Sequence, residues 1–303
     1  MLDKLKAVKV TLEDPNGTEV AATQAIYCED VKCDSTAEYL RRNGPGKYVG
    51  NSVPGVFGAE TGIFSGKTPL IGTGSSGMGL GCLILLQAAW LKKTLESYQV
   101  TSDVANWKCA SIDVYEDGWL KTLWGAMFNV NLTWEQGRPE GAMLEVEAQG
   151  LYKAIEDVAV PAYAPEERLP MHMTGFTMNE VAKKIQSLSL NLNNVISPRP
   201  DPNAASANSE IAHFMVTDND PTLGINPEAE LVATYAFDAL RRARTEHPIV
   251  ATFGDGTDTI MITMPKVQAK VLATGERDGQ LTYDYEGQCN HSTGDDAVVI
   301  AVT

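Results

Sequence analysis

Strict alternation marks Ser187-Leu188-Ser189-Leu190-Asn191-Leu192, where leucine fills every second position and Ser or Asn the others. A period of two puts the leucines on one face of an extended chain and the polar groups on the other, which predicts a half-buried strand. Two more apolar-rich runs lead into Asp-Gly: Ser111-Ile112-Asp113-Val114-Tyr115-Glu116 before Asp117-Gly118, and Ile249-Val250-Ala251-Thr252-Phe253-Gly254 before Asp255-Gly256. Asp-Gly after such a run signals a hairpin, because glycine accepts the positive φ that the turn demands. A last hairpin is expected near Gly275 and Gly279. Helical patterning is confined to residues 83–95 and to Val232, Tyr235, Ala236, Ala239 and Leu240. Before the second of these, Asn226-Pro227-Glu228 reads as a cap, a first-turn proline and an acid at the positive end. Arg241, Arg242 and Arg244 stand near its other end, where cations suit the dipole.

The hairpin signals repeat. The two Asp-Gly turns stand 138 residues apart, and Gly141 and Gly279 each follow their turn's glycine by 23 residues. At an offset of 137, Leu144, Val146, Glu147 and Gly150 face Leu281, Tyr283, Asp284 and Gly287. Upstream the match loosens: Leu91-Lys92-Lys93 with Leu240-Arg241-Arg242, Pro69 with Pro221, and Glu19-Val20-Ala21 with Glu180-Val181-Ala182. A tandem duplication of one domain accounts for this order. The competing account is two unrelated β-rich domains that share hairpin grammar.

The expected fold class is therefore mainly β (α+β): two tandem β-sandwich or barrel-like domains, each with a flanking α-helix. The first spans residues 1–162, with a long loop insertion at about 33–62, and the second spans 163–303, with residues 160–165 as linker. Gly-, Pro- and Asn-rich stretches at 41–62 and 197–208 are too long for tight turns and read as loops or arms. A chain of 303 residues is long enough for each half to bury its own core.

Charge narrows the function classes. With 24 Lys+Arg against 39 Asp+Glu the net charge is −15, and the deficit is present in both halves, so a basic nucleic-acid footprint is not expected. The longest apolar stretch, residues 78–91, contains Gln87 and is too short to span a bilayer, and the N-terminus lacks a secretory pattern. A soluble intracellular product is the expectation. Five cysteines without a CxxC pair point to reduced buried thiols and away from zinc or a disulfide framework.

Catalytic motifs are weak. Gly72, Gly74 and Gly77 form a GxGxxG ahead of the first helical run, but β-like sequence precedes them and the corresponding stretch 224–228 has one glycine and a proline. Ser65-Gly66-Lys67-Thr68 resembles the end of a phosphate loop, yet Gly62 stands one residue too close. The four histidines are scattered. Cys289-Asn290-His291, Glu166-Glu167 and Asp295-Asp296 read as surface segments. No catalytic residue, cofactor or metal ligand is assigned, and the chain is not expected to be an enzyme.

The series 187–195, the loop through Pro198-Arg199-Pro200, then 216–225 and the acidic helix resemble the major tail tube proteins of long-tailed, non-contractile bacteriophages. The likeness covers about residues 180–290 and reaches the first half only through the repeat. The glycine-rich helix start and Leu83-Ile84-Leu85-Leu86 of the first half have no counterpart in the second. The resemblance implies a virion protein, made in the host cytoplasm and placed in the tail, whose rings stack into a hollow tube. A duplicated chain would close a ring as a homotrimer with pseudo-sixfold symmetry. Its partners would be itself and the tail terminator, tape-measure and distal tail proteins, and double-stranded DNA would pass the lumen without specific binding. Glu145, Glu147, Asp284 and Glu286 are the candidate lumen-facing acids. Arg41, Arg42 and Lys47 are the candidate inter-ring contacts. A neck, baseplate or capsid-decorating protein is the alternative within structural proteins, and a nucleotide-binding enzyme using residues 72–77 the alternative outside them.

Overall fold

A computed structural model describes residues 6–43, 52–73, 78–94, 97–165, 168–203, 210–277 and 279–303. The strands of the first half are β1 (Lys6–Leu12), β2 (Gln24–Ile26), β3 (Glu29–Asn43), β4 (Ser52–Pro69), β5 (Leu91–Thr94), β6 (Ser97–Val100), β7 (Ala110–Glu116), β8 (Trp119–Glu135), β9 (Met143–Tyr152) and β10 (Glu156–Asp157). Those of the second are β11 (His172–Met178), β12 (Val181–Ala182), β13 (Ile185–Asn191), β14 (Asn194–Pro200), β15 (Ile211–Asn219), β16 (Thr222–Pro227), β17 (Glu246–Gly254), β18 (Thr259–Arg277), β19 (Gln280–Asn290) and β20 (Val299–Val302). Two α-helices, α1 (Leu80–Ala88) and α2 (Phe237–Arg242), complete a mainly β molecule.

All strand ladders among the described residues are antiparallel. In the first half the neighbours run β2–β1–β7–β8–β9–β4–β3. In the second they run β12–β11–β17–β18–β19–β16–β13. The two orders match position for position. In each half one long strand carries an irregularity: the register of β8 breaks at Trp124-Gly125, and that of β18 at Pro265-Lys266. A bulge turns the strand there, and at Pro265 it also removes the need for an amide donor.

The halves are joined directly. The far end of β8 pairs with β13, from Glu135 opposite Ser187 to Asn131 opposite Asn191. The C-terminal β20 pairs with β18 and with β6 of the first half. Instead of two separate cores, one buried cluster unites Val130, Leu132 and Leu144 with Leu190, Leu223, Ile262 and Ile300.

Several local expectations are corrected. The stretch expected as a loop insertion at 33–62 is mostly strand: β3 and β4 form a long hairpin, and β14 likewise takes up residues 194–200. Cross-strand bonding there outweighs the glycine and proline content. The first helix ends at Ala88; Trp90 turns the chain at φ +74°, and Leu91–Thr94 pairs with β6 where helix had been expected to 95. The cap expected at Asn226-Pro227-Glu228 is instead the end of β16, with Asn226 Oδ1 accepting the amides of Gln186 and Ser187 at 2.8 Å each. Helix α2 begins only at Phe237, leaving Leu231 and Val232 exposed. The ladders also place Leu144 opposite Leu132, and Tyr285 opposite Leu272 in the corresponding place, so β9 and β19 align a few residues away from the 137 offset. Burial agrees: Leu144 is buried whereas Leu281 is 57% exposed.

Candidate functional site

Because β8 carries β13, a single sheet crosses both halves in the order β3–β4–β9–β8–β13–β16–β19–β18. Residues that stand opposite one another in a ladder share a face. One row can be followed over every strand: Glu29, Lys67, Glu145, Asn131, Asn191, Thr222, Gln288 and Gln268. All eight are polar. The next positions along the strands, such as Leu144, Leu132, Leu190 and Leu223, turn the other way into the core.

The four expected acids lie on this polar face. Glu145 stands beside Asn131, two residues along β13 from Asn191 is Ser189, and Ser189 leads through Gly224 to Glu286. Glu147 and Asp284 are two residues from Glu145 and Glu286 on their own strands. Two hollows open on the face. One, of about 730 Å³, is lined by Lys32, Lys67, Glu145 and Glu147; the other, of about 570 Å³, lies at the joint and is lined by Trp134, Glu135, Arg138, Glu140, Asp284 and Glu286.

The charge on the face is partly compensated. Lys67 Nζ is 3.1 Å from Glu145 Oε1, and Asn131 Nδ2 donates to Glu145 Oε2 at 3.0 Å. The hydrogen bond and charge of Glu145 push the Lys67 ammonium pKa above its usual range. Lys270 Nζ sits 3.1 Å from Glu286 Oε1. Among the described residues, Glu147 and Asp284 have no such cation. Strand alternation in the sequence could locate the acids, but Lys67 and Lys270 reach them across strands, which alternation cannot reveal.

The other expected residues lie elsewhere. Arg41 and Arg42 are exposed near the outer end of β3, with Arg42 Nε donating to the carbonyl of Pro54 at 3.1 Å. Lys47 lies outside the described residues, as do Gly74, Gly77 and Glu166-Glu167. Gly72 packs against the Asp258 carboxylate so closely that an added Cβ would collide with Oδ2. Ser65-Gly66-Lys67-Thr68 is an interior stretch of β4. Cys289, read with Asn290-His291 as a surface segment although the cysteine pattern pointed to buried thiols, is free and buried in β19, and burial pushes its thiol pKa up to about 12. Asp295 accepts from the Ser102 amide and hydroxyl at 2.6 Å each, so it ties two loops together and is not merely solvated. Among the described residues no cluster of three His, Cys, Asp or Glu side chains could hold a metal ion, and no helix is long and apolar enough to cross a membrane.

Comparison with known proteins adds no name to this architecture: no protein-family model matches the chain, and no curated protein matches it.

Proposed function

We propose that the chain is a duplicated-domain subunit of a hollow protein tube, of the kind built by the major tail tube proteins of long-tailed, non-contractile phages, and that its polar sheet face lines the lumen. The observation that carries this reading is the sheet that crosses both halves with one face turned into the core and the other bearing an unbroken polar row over all eight strands. The matching ladder orders support duplication, since unrelated domains have no reason to share the order of seven strands and, to within a residue, the place of a bulge. Such a sheet, repeated around an axis, is a wall. Carboxylates on it repel phosphate oxygens, and the amides and hydroxyls between them offer only weak, uncharged contacts, so double-stranded DNA passes without being held. The ion pairs at Glu145 and Glu286 leave Glu147 and Asp284 as the stronger sources of repulsion.

On this reading three copies close a pseudo-sixfold ring, the rings stack into a phage tail, and further tail proteins cap its ends. Negative-stain electron microscopy of concentrated protein is the test. Rings or tubes with a central hole support the reading, and compact single particles at every concentration overturn it. Rings that never stack favour a neck or baseplate part.

A further inference from the structure

We infer that the two outer edges of the eight-stranded sheet are the two sides of one joint with a second copy of the chain, residues 271–275 of β18 pairing antiparallel with the start of β3. The inference rests on the duplicated-domain reading. It adds which edges meet, and in what register.

The internal joint is the template. Beyond its bulge, β8 holds β9 on one flank and β13 on the other. In the second half β18 occupies the place of β8. Beyond its own bulge it holds β19 on one flank, and among the described residues no strand takes the other from Ala269 onward. Between Lys270, which a bulge sets off, and the charged pair Glu276-Arg277, the open stretch reads Val271-Leu272-Ala273-Thr274-Gly275 without a charge, and Val271 is 42% exposed. An uncharged, extended run of this kind, five residues long between its charged flanks, is a template for another strand. The feature therefore calls for a partner strand.

The strand that fits is indicated by the same comparison. The place of β13 in the first half belongs to β3, whose described pairing is with β4 alone. Side chains serve two alternate carbonyls of β3: Lys6 Nζ donates to Val31 O at 3.3 Å and Lys121 Nζ to Cys33 O at 3.0 Å. The ladders align Lys6 with His172 and Lys121 with Met261, so the half whose edge is already filled has no lysines at these places. Lysines guard the open edge, and an arriving strand has to displace them. Because the two edges differ, the contact is head-to-tail, and it closes into a ring when the rotation allows.

Register follows from the template. Thr133 faces Ser189 across the internal joint. Counted from the starts of β8 and β18 at the two hairpin turns, Thr133 corresponds to Ala273. Ser189, Gly224, Glu286 and Val271 form the row corresponding to Glu29, Lys67, Glu145 and Asn131. Ala273 of one copy therefore faces Glu29 of the next, close enough for a cross-strand disulfide.

The test is cysteine crosslinking of the full chain under mild oxidation. A variant with both Ala273→Cys and Glu29→Cys is expected to give an interchain ladder on a non-reducing gel, ending at the ring size. Neither single variant gives the ladder, because each edge lacks its counterpart. Thr274→Pro, with its fold checked by circular dichroism, is expected to lose the association seen by sedimentation. A chain that stays monomeric, or assemblies that form without this crosslink, overturn the joint. Tubes without the crosslink reject the edge assignment and leave the tube reading intact; crosslinked rings that never stack do the reverse.

Discussion

Two hairpin arms occupy corresponding places in the two halves, and their surroundings are opposite. The β14–β15 arm folds back over the first half, where Phe214 and Val216 are buried with Cys109, Met127 and Leu151, and Ile196 and Ile211 pack around them. The outer part of the β3–β4 arm has no such bed. Tyr39 and Phe57 pair with ring centroids 5.0 Å apart, yet are 55% and 69% exposed, and Leu40, Val53 and Val56 are exposed beside them. An apolar side chain stabilises a fold only when a facing surface removes it from water. The same element is thus an internal strut in one half and an unsatisfied projection in the other, as expected when part of a repeated contact lies outside the chain.

The largest test of this contrast is to empty the strut. Phe214→Ala removes a buried aromatic ring and is expected to cost about 3–5 kcal/mol, whereas Phe57→Ala should change the stability of the single chain by no more than about 0.5 kcal/mol. Urea unfolding of both variants at low protein concentration measures the difference. Equal losses would show that the exposed arm is packed in solution, and the contrast would fall.

Next in size is the polar pin at the root of the strut. Asn194 Nδ2 donates to the carbonyls of Ala89 and Phe128 at 3.0 and 2.9 Å, its amide donates to Asn129 Oδ1, and its Oδ1 accepts from Asn219. Asn194→Ala takes the donor from two carbonyls, with an expected loss on the order of 2 kcal/mol. Asp, which keeps the size but not the amide donor, should do no better. Hydrogen exchange should show the loosening concentrated in β14 and β15.

These features differ in how visible they are in the sequence. The leucines of β13 and the turn at Asp117-Gly118 are local signals: one is set by the period of a strand, the other by positive φ at Asp117 and Gly118. The outward direction of Glu145 and Glu147 follows from the same period. The strand character of residues 52–62 does not, because β4 is held by β3 and β9 from far along the chain. The late start of α2 was equally hidden, since residues 226–228 are taken up by β16 and its contacts with β13 and β19. The joint between β8 and β13 had no local sign either. Its residues read as ordinary alternating strand, and only topology brings them together.

A smaller effect is expected from pH, and it separates the arms by charge chemistry. His213 lies on the folded-back arm, where burial first and the charge of Arg199 second lower its pKa below 6.5. The unfolded chain then takes up the proton before the folded one, so the contribution of His213 is present above pH 6.5 and is lost as pH falls from there toward the folded value. Glu13 has the opposite sign lower on the scale. Its carboxylate accepts from the amides of Gly17 and Gly125, which lie against Ala212 and His213, and burial raises its pKa above 4.5. Its contribution is present below 4.5 and is lost as pH rises through the raised folded value. Denaturant midpoints across this range should show His213→Gln with a shallower fall below pH 6.5, the remainder belonging to His247, whose pKa burial also lowers. An unchanged slope would show that the arm seat does not titrate.

The smallest effect on the single chain is expected where the effect on assembly is greatest. Tyr39→Ser combined with Phe57→Ser removes the exposed ring pair and should leave the urea midpoint of the monomer unchanged within about 0.5 kcal/mol. If the arm reaches a neighbouring ring, these changes weaken stacking and spare ring closure, because residues 271–275 and the start of β3 are untouched. Arg41 and Arg42, exposed on the same arm, add attraction toward a partner surface of a protein with net charge −15, so added salt should weaken the same step. Sedimentation at several ionic strengths distinguishes the two contacts. Loss of both rings and stacks would place the arm in the ring joint itself, and loss of neither would leave the exposed apolar pair to a partner other than a second copy.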